Sequence, residues 1–92
     1  MAGVTEEQRF HGTVALLILH LRRLAKSNDT EAGFAAARDL RMIGPEHERF
    51  MRSCLALDDQ LQKGIEPAQP ITEDLSAELQ ACVLRINSAD PA

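Results

Sequence analysis

Residues 10–25 read FHGTVALLILHLRRLA, an apolar stretch with the spacing of an amphipathic helix. One face of that helix carries Phe10, Val14, Leu17, Leu21 and Leu24. Leu16 and Leu19 lie on another side of it, because successive residues turn by about 100°. A helix that is apolar on two sides is either enclosed by its own domain or shared with a partner. These residues therefore give the strongest indication of function in the sequence.

Local signals around this stretch divide the chain into four helices, predicted at about residues 5–26, 31–43, 45–63 and 73–87. Thr5 and Gln8 have the spacing of a capping box at the start of the first helix. Gly44-Pro45 separates the second helix from the third, although one kinked helix is the alternative. Residues 64–71 form a predicted loop and 88–92 a frayed tail. The pattern indicates an all-α domain of four helices packed as antiparallel hairpins.

The composition supports one small helical domain. Ninety-two residues leave no room for a second domain, and the core must be largely aliphatic because there are three Phe and no Tyr or Trp. At this size, folding buries only about 60 to 65% of the surface that the unfolded chain exposes. Burial between two copies would add stability, so we expect a homodimer.

The net charge, the N-terminal residues and the length of the longest apolar run indicate the compartment and disfavour nucleic acid and membranes as partners. The net charge of −4 disfavours generic binding to nucleic acid. The N-terminal residues lack the basic segment of a signal peptide, and the run Val14 to Leu19 is far shorter than the roughly 20 residues that span a bilayer. We expect a cytoplasmic protein with reduced thiols at Cys54 and Cys82, and no nucleic-acid or membrane partner.

Candidate chemical groups are few. His47, Cys54 and Cys82 could approach one another, but the sequence has neither paired zinc-ligand spacing nor the Glu-x-x-His pattern of di-iron bundles. It also lacks a glycine-rich phosphate loop. Asp58 and Asp59 oppose the helix dipole near the end of the third helix, and we interpret them as a solvated acidic face. We therefore predict no enzymatic activity, metal or cofactor, with a small metal or thiol enzyme as the less favoured alternative.

A DNA-binding regulator using the second and third helices is another alternative, because a short glycine-containing turn joins them. The third helix would then present Pro45-Glu46-His47-Glu48 to the DNA, which places two acids near phosphate. Four arginines surround the turn and alternate with acids, which indicates surface ion pairs: Arg38, Arg41, Arg49 and Arg52.

Binding through apolar surface is the remaining class of function. On the second helix the predicted core stripe is Ala32, Ala36, Leu40 and Ile43. Apolar residues outside the main stripes are the predicted protein interface: Leu16, Leu19, Phe34, Met42, Met51 and Leu55. The sequence thus predicts a non-enzymatic interaction module, acting as a small regulator, inhibitor, adaptor or secretion-type chaperone.

Overall fold

The computed structural model describes residues 5–88, which form four α-helices and no β-strand. The helices are α1 (Glu6–Ala25), α2 (Thr30–Asp39), α3 (Pro45–Gln62) and α4 (Glu73–Ser88). The predicted all-α class with four helices is confirmed. The predicted tail at 88–92 lies outside the described residues, except for Ser88, which ends α4.

Both ends of α1 are satisfied by local hydrogen bonds. The Thr5 hydroxyl accepts from the Gln8 amide at 3.1 Å, and the Gln8 side chain accepts from the Thr5 amide at 3.0 Å. This is the predicted capping box. At the other end Lys26 adopts a left-handed φ of 54°, and the amides of Lys26 and Ser27 donate to the last carbonyls of the helix.

The end of α2 differs from the prediction. The helix stops at Asp39 rather than near residue 43, because Arg41 is left-handed with a φ of 58°. The amide of Met42 then donates to the carbonyl of Ala37 at 3.0 Å, which turns the chain back toward the core. A separate helix, α3, begins at Pro45, so α2 and α3 are not one kinked helix.

This early end changes which face of α2 is buried. The predicted stripe was wrong at Leu40, which is exposed, and Ala32 and Ala36 are only partly buried. The buried residues of the helix are Gly33, Phe34 and Ala37, and Ile43 is buried as predicted. Leu40 is the last residue before the left-handed turn, so it leaves the helix instead of extending its face. Met42 and Ile43 reach the core after the turn.

We expect Arg41→Gly to stabilise the protein by about 0.5 to 1 kcal/mol, because glycine adopts positive φ without the steric penalty of a side chain. Urea denaturation followed by circular dichroism measures the free energy of unfolding. The matched control is Arg49→Gly, an exposed arginine inside α3, which should destabilise the protein by about 1 kcal/mol. No gain at position 41 would show that the arginine side chain stabilises this turn.

The core forms around α1, which contacts each of the other three helices. Its buried face consists of Phe10, Thr13, Val14, Leu17 and Leu21, so most of the predicted stripe is in the core. Gly33 of α2 lies against the backbone of Leu21; a Cβ at Gly33 would be 2.5 Å from the Leu21 carbonyl oxygen. Glycine at this position therefore lets α1 and α2 approach closely.

Candidate functional site

The side of α1 that faces away from the core carries an apolar stripe. Leu16 and Leu19 are each 50% exposed, and Gly12 and Ala15 are exposed beside them. These four residues have the i, i+3, i+4, i+7 spacing of one helical face, and we call them the α1 outer face. The helix thus presents one apolar face to its own core and a second, narrower one to solvent.

The structure separates the six predicted interface residues into three groups. Phe34, Met42 and Met51 lie in the core, so they are not available to a partner in the folded chain. Leu55 is partly buried against the core. Only Leu16 and Leu19 are exposed, and the interface prediction now rests on them.

Two physical causes account for this separation. On α2, Phe34 lies on the buried face with Gly33 and Ala37, and Met42 reaches the core through the turn that follows the early end of the helix. On α3, the buried face is Met51, Cys54, Leu57 and Asp58, so Met51 lies within the core, and Leu55 is packed against its edge.

Basic residues at the end of α1 border the outer face. The first turn is acidic, with Glu6 and Glu7, and the last turn is basic, with Arg22 and Arg23. Leu19 and the basic residues Arg22, Arg23 and Lys26 line a shallow concavity of about 470 Å³. The outer face is therefore apolar in the middle and basic toward its end, whereas Glu6 and Glu7 are each about 130° around the helix from it.

A polar contact joins α1 to α3, and it was not predicted from the sequence. Nδ1 of His11 lies 2.9 and 3.0 Å from the two carboxylate oxygens of Asp58, whose side chain is only 10% exposed. The prediction of a solvated acidic face was wrong for Asp58, because its side of α3 packs toward α1. Asp59 is exposed and pairs with Lys63 at 3.0 Å. The one available signal was an acid opposing the helix dipole, which favours a hydrogen-bond donor nearby.

We expect His11→Ala to lower the free energy of unfolding by about 1 to 2 kcal/mol, because the buried Asp58 carboxylate loses its donor. A double-mutant cycle with Asp58→Ala should show a coupling of about 1 kcal/mol. The matched control is Lys63→Ala, which removes an exposed ion pair and should change stability by less than about 0.5 kcal/mol. Additive effects of the His11 and Asp58 substitutions would contradict an energetic role for this contact.

Two of the four arginines near the turn between α2 and α3, Arg38 and Arg52, pair with carboxylates. The Arg52 guanidinium donates to both Glu31 oxygens, at 2.6 and 2.8 Å, and to Glu48 at 3.0 Å. It also lies 4.4 Å from the centre of the Phe34 ring. Arg38 pairs with Glu48 at 3.0 Å. The predicted ion pairs are confirmed for Arg38 and Arg52, and the hydrogen bonds from Arg52 lower the pKa of Glu31.

The two thiols are buried, and burial opposes their ionisation. Cys54 and Cys82 are free cysteines in the core, and burial, with a smaller contribution from Cys82, raises the pKa of Cys54 to about 12. A low thiol pKa is what nucleophilic or metal-binding cysteines need. Nδ1 of His47 accepts from the Gly44 amide at 3.1 Å and so caps α3. Residues 5–88 contain no group of three or more side chains placed to hold a metal ion.

None of the helices within the described residues has the length and apolar character needed to cross a bilayer. Comparison of the chain with protein-family models, curated proteins and solved structures finds no match. The clearest feature of the described surface is the α1 outer face.

Proposed function

We propose that this protein is a non-enzymatic interaction module that docks another protein chain on the α1 outer face. The observation that carries the proposal is the pair Leu16 and Leu19, half exposed and adjacent on the central helix of the fold. Single exposed apolar residues are common on protein surfaces. Leu40, Ile65 and Leu84 are equally exposed, but each lies on a different element. Leu16 and Leu19 instead place two large apolar side chains on one helix face, together with Ala15 and Gly12, whereas Leu84 has only the small Ala77 and Ala81 along its face.

The stripe has the form that a partner helix requires. A docked helix would cover the two leucines along about two turns, and removing their exposed surface from water stabilises the complex at about 25 cal/mol per Å². The basic end of α1 would orient the partner more than it strengthens binding. Such a surface suits a small regulator, inhibitor, adaptor or chaperone. The proposed setting is the cytoplasm, where Cys54 and Cys82 remain reduced.

Substituting both leucines with aspartate tests this proposal. We expect the tagged Leu16→Asp/Leu19→Asp variant to recover at least about tenfold less bound protein from native lysate than the unchanged chain, because desolvated charge opposes docking. Mass spectrometry would quantify all bound chains, including untagged copies of this protein. Circular dichroism would confirm that the variant is folded, which we expect because both substituted side chains are half exposed.

The matched control is Leu84→Asp, which changes an equally exposed leucine on α4. This variant should recover the same proteins as the unchanged chain. If the folded double variant also recovers them in undiminished amounts, the α1 outer face does not bind protein and the proposal fails.

A further inference from the structure

Basic side chains continue the α1 outer face beyond Leu19. Arg22, Arg23 and Lys26 share with Leu19 the shallow concavity at the end of the helix. All three basic residues are exposed, and no acidic residue of the described chain lines this concavity. Two other concavities of the surface contain arginines, and each of these also contains glutamate. The apolar stripe therefore leads into a region that is lined by positive charge alone.

The charges of Arg22 and Lys26 are not paired within the described part of the chain. Neither side chain forms an ion pair or a hydrogen bond with residues 5–88. Asp29, the nearest acid in sequence, accepts from the Glu31 amide at 3.0 Å and so caps α2. A carboxylate from outside the chain can therefore pair with both cations without displacing an ion pair of the fold.

Acidic residues are absent along the whole of this side of α1. Glu6 and Glu7 are the acids of the helix, and each lies about 130° around it from the outer face. Thr5 and Gln8, which precede the stripe on its own side, are uncharged. The helix dipole favours basic residues in the last turn, but its effect does not extend to the middle of the helix. The acid-free side is thus a feature of the surface, in a chain with 14 acidic and 10 basic residues.

We infer that the α1 outer face binds an acidic amphipathic helix of another protein. Apolar side chains of that helix cover Leu16 and Leu19, and its carboxylates pair with Arg22 and Lys26. This inference rests on the proposed function and specifies the chemistry of the partner for the same face.

The spacing along α1 sets the pattern that the partner must carry. Leu16 and Leu19 lie about 4.5 Å apart along the helix axis, and Arg22 lies about 4.5 Å beyond Leu19, because each residue rises by about 1.5 Å. A docked helix therefore needs apolar side chains along one turn and carboxylates in the adjacent turn. The apolar contact supplies affinity, and the charges fix the register.

Two other anionic partners fit this surface less well. Nucleic acid pairs with a track of cations, whereas the outer face is uncharged from Gly12 to Leu19. A helix that inserts into an anionic bilayer needs a large apolar face, whereas this face has two half-exposed leucines. The net charge of −4 also opposes extended anionic surfaces more than a short acidic helix, because distant charges are screened beyond about 8 Å at physiological salt.

Peptide selection on the whole protein tests the inference. A phage library of random peptides long enough to form a helix is selected on the immobilised chain, and enriched peptides are synthesised. We expect net acidic peptides with large apolar residues at helical spacing. Enrichment of neutral or basic peptides, or of none, would overturn the inference.

Charge reversal locates the site, with binding of the synthetic peptide measured by fluorescence polarisation. Arg22→Glu/Lys26→Glu should weaken binding at least about tenfold, because like charges then face each other. Arg22→Gln/Lys26→Gln, which adds no acid at the end of α1, should weaken it about two- to fivefold. Circular dichroism would verify that both variants are folded.

The matched control for charge reversal is Arg41→Glu/Arg49→Glu. It makes the same change of net charge at two exposed arginines outside α1, and should leave binding unchanged. If this control weakens binding as much as reversal at positions 22 and 26, the peptide senses net charge rather than the α1 outer face. That result would overturn the inference.

Vesicles of equal parts phosphatidylserine and phosphatidylcholine are the second probe. We expect the chain not to cosediment with them. Cosedimentation that Arg22→Glu/Lys26→Glu abolishes would show that the basic region recognises a lipid surface, and would overturn the inference.

The failures of the inference and of the proposed function are distinguishable in the lysate experiment. If the double aspartate variant loses a bound protein while Arg22→Glu/Lys26→Glu retains it in full, the partner binds through apolar contact alone. That result overturns the acidic partner and leaves the proposed function standing. If neither variant loses a bound protein, both fail.

Discussion

Gly33→Ala should lower the free energy of unfolding by about 3 kcal/mol, a large part of the stability of a domain this small. The added Cβ would lie 2.5 Å from the carbonyl oxygen of Leu21, 2.6 Å from its Cβ and 2.7 Å from its carbonyl carbon. Two of these three atoms belong to the backbone, which cannot rotate away as a flexible side chain does. The helices α1 and α2 must therefore separate, and Phe34 and Ala37 lose part of their packing.

Urea denaturation followed by circular dichroism measures this loss. Gly12→Ala is the matched control, because it makes the same substitution in a helix where the Cβ meets open space. It should stabilise the protein by about 0.5 to 1 kcal/mol. Equal effects at the two positions would mean that the loss at Gly33 does not come from the approach of α1 and α2.

Alkaline pH should destabilise the protein through Cys54. Burial raises the pKa of this thiol from 9.0 to about 12. Between those values the unfolded chain releases a proton that the folded chain retains. The stabilisation is therefore complete below pH 9 and declines as pH rises toward 12, at up to about 1.4 kcal/mol per pH unit. The raised pKa of Cys82 acts in the same direction.

Denaturation curves measured at pH values from 7 toward 12 follow this decline in the free energy of unfolding, and Cys54→Ala is the control. The variant starts from lower stability because it loses buried volume, but its stability should fall less steeply with pH. The native thiols should also react with alkylating agents far more slowly than those of the unfolded chain. Parallel pH profiles for the two proteins would show that Cys54 does not retain its proton in the folded state.

Local sequence signals anticipated much of this fold. The Thr5–Gln8 capping box, the stripe from Phe10 to Leu21 and the Gly44-Pro45 boundary each depend on residues close in sequence. The end of α2 was missed because Arg41 holds a left-handed turn that glycine usually marks. Because α2 was predicted to continue to residue 43, Leu40 was placed on its buried face and Phe34 on its exposed face.

The candidate site also has parts that local sequence could predict and parts that it could not. Leu16 and Leu19 could be identified because their own helix reveals a second apolar side. The His11–Asp58 contact joins residues 47 positions apart, and no local pattern indicates which helices will meet. Met51 was misplaced because small rotations of α3 exchange neighbouring apolar residues between core and surface.

The ion pairs that join α2 to α3 make this contact sensitive to salt. α2 packs mainly on α1, and two ion pairs link it to α3: Arg52 with Glu31 of α2, and Arg38 of α2 with Glu48. High ionic strength screens such partly exposed ion pairs but leaves apolar packing intact. Concentrated salt would therefore loosen this seam first, and hydrogen exchange would accelerate there while the amides of α1 remained protected.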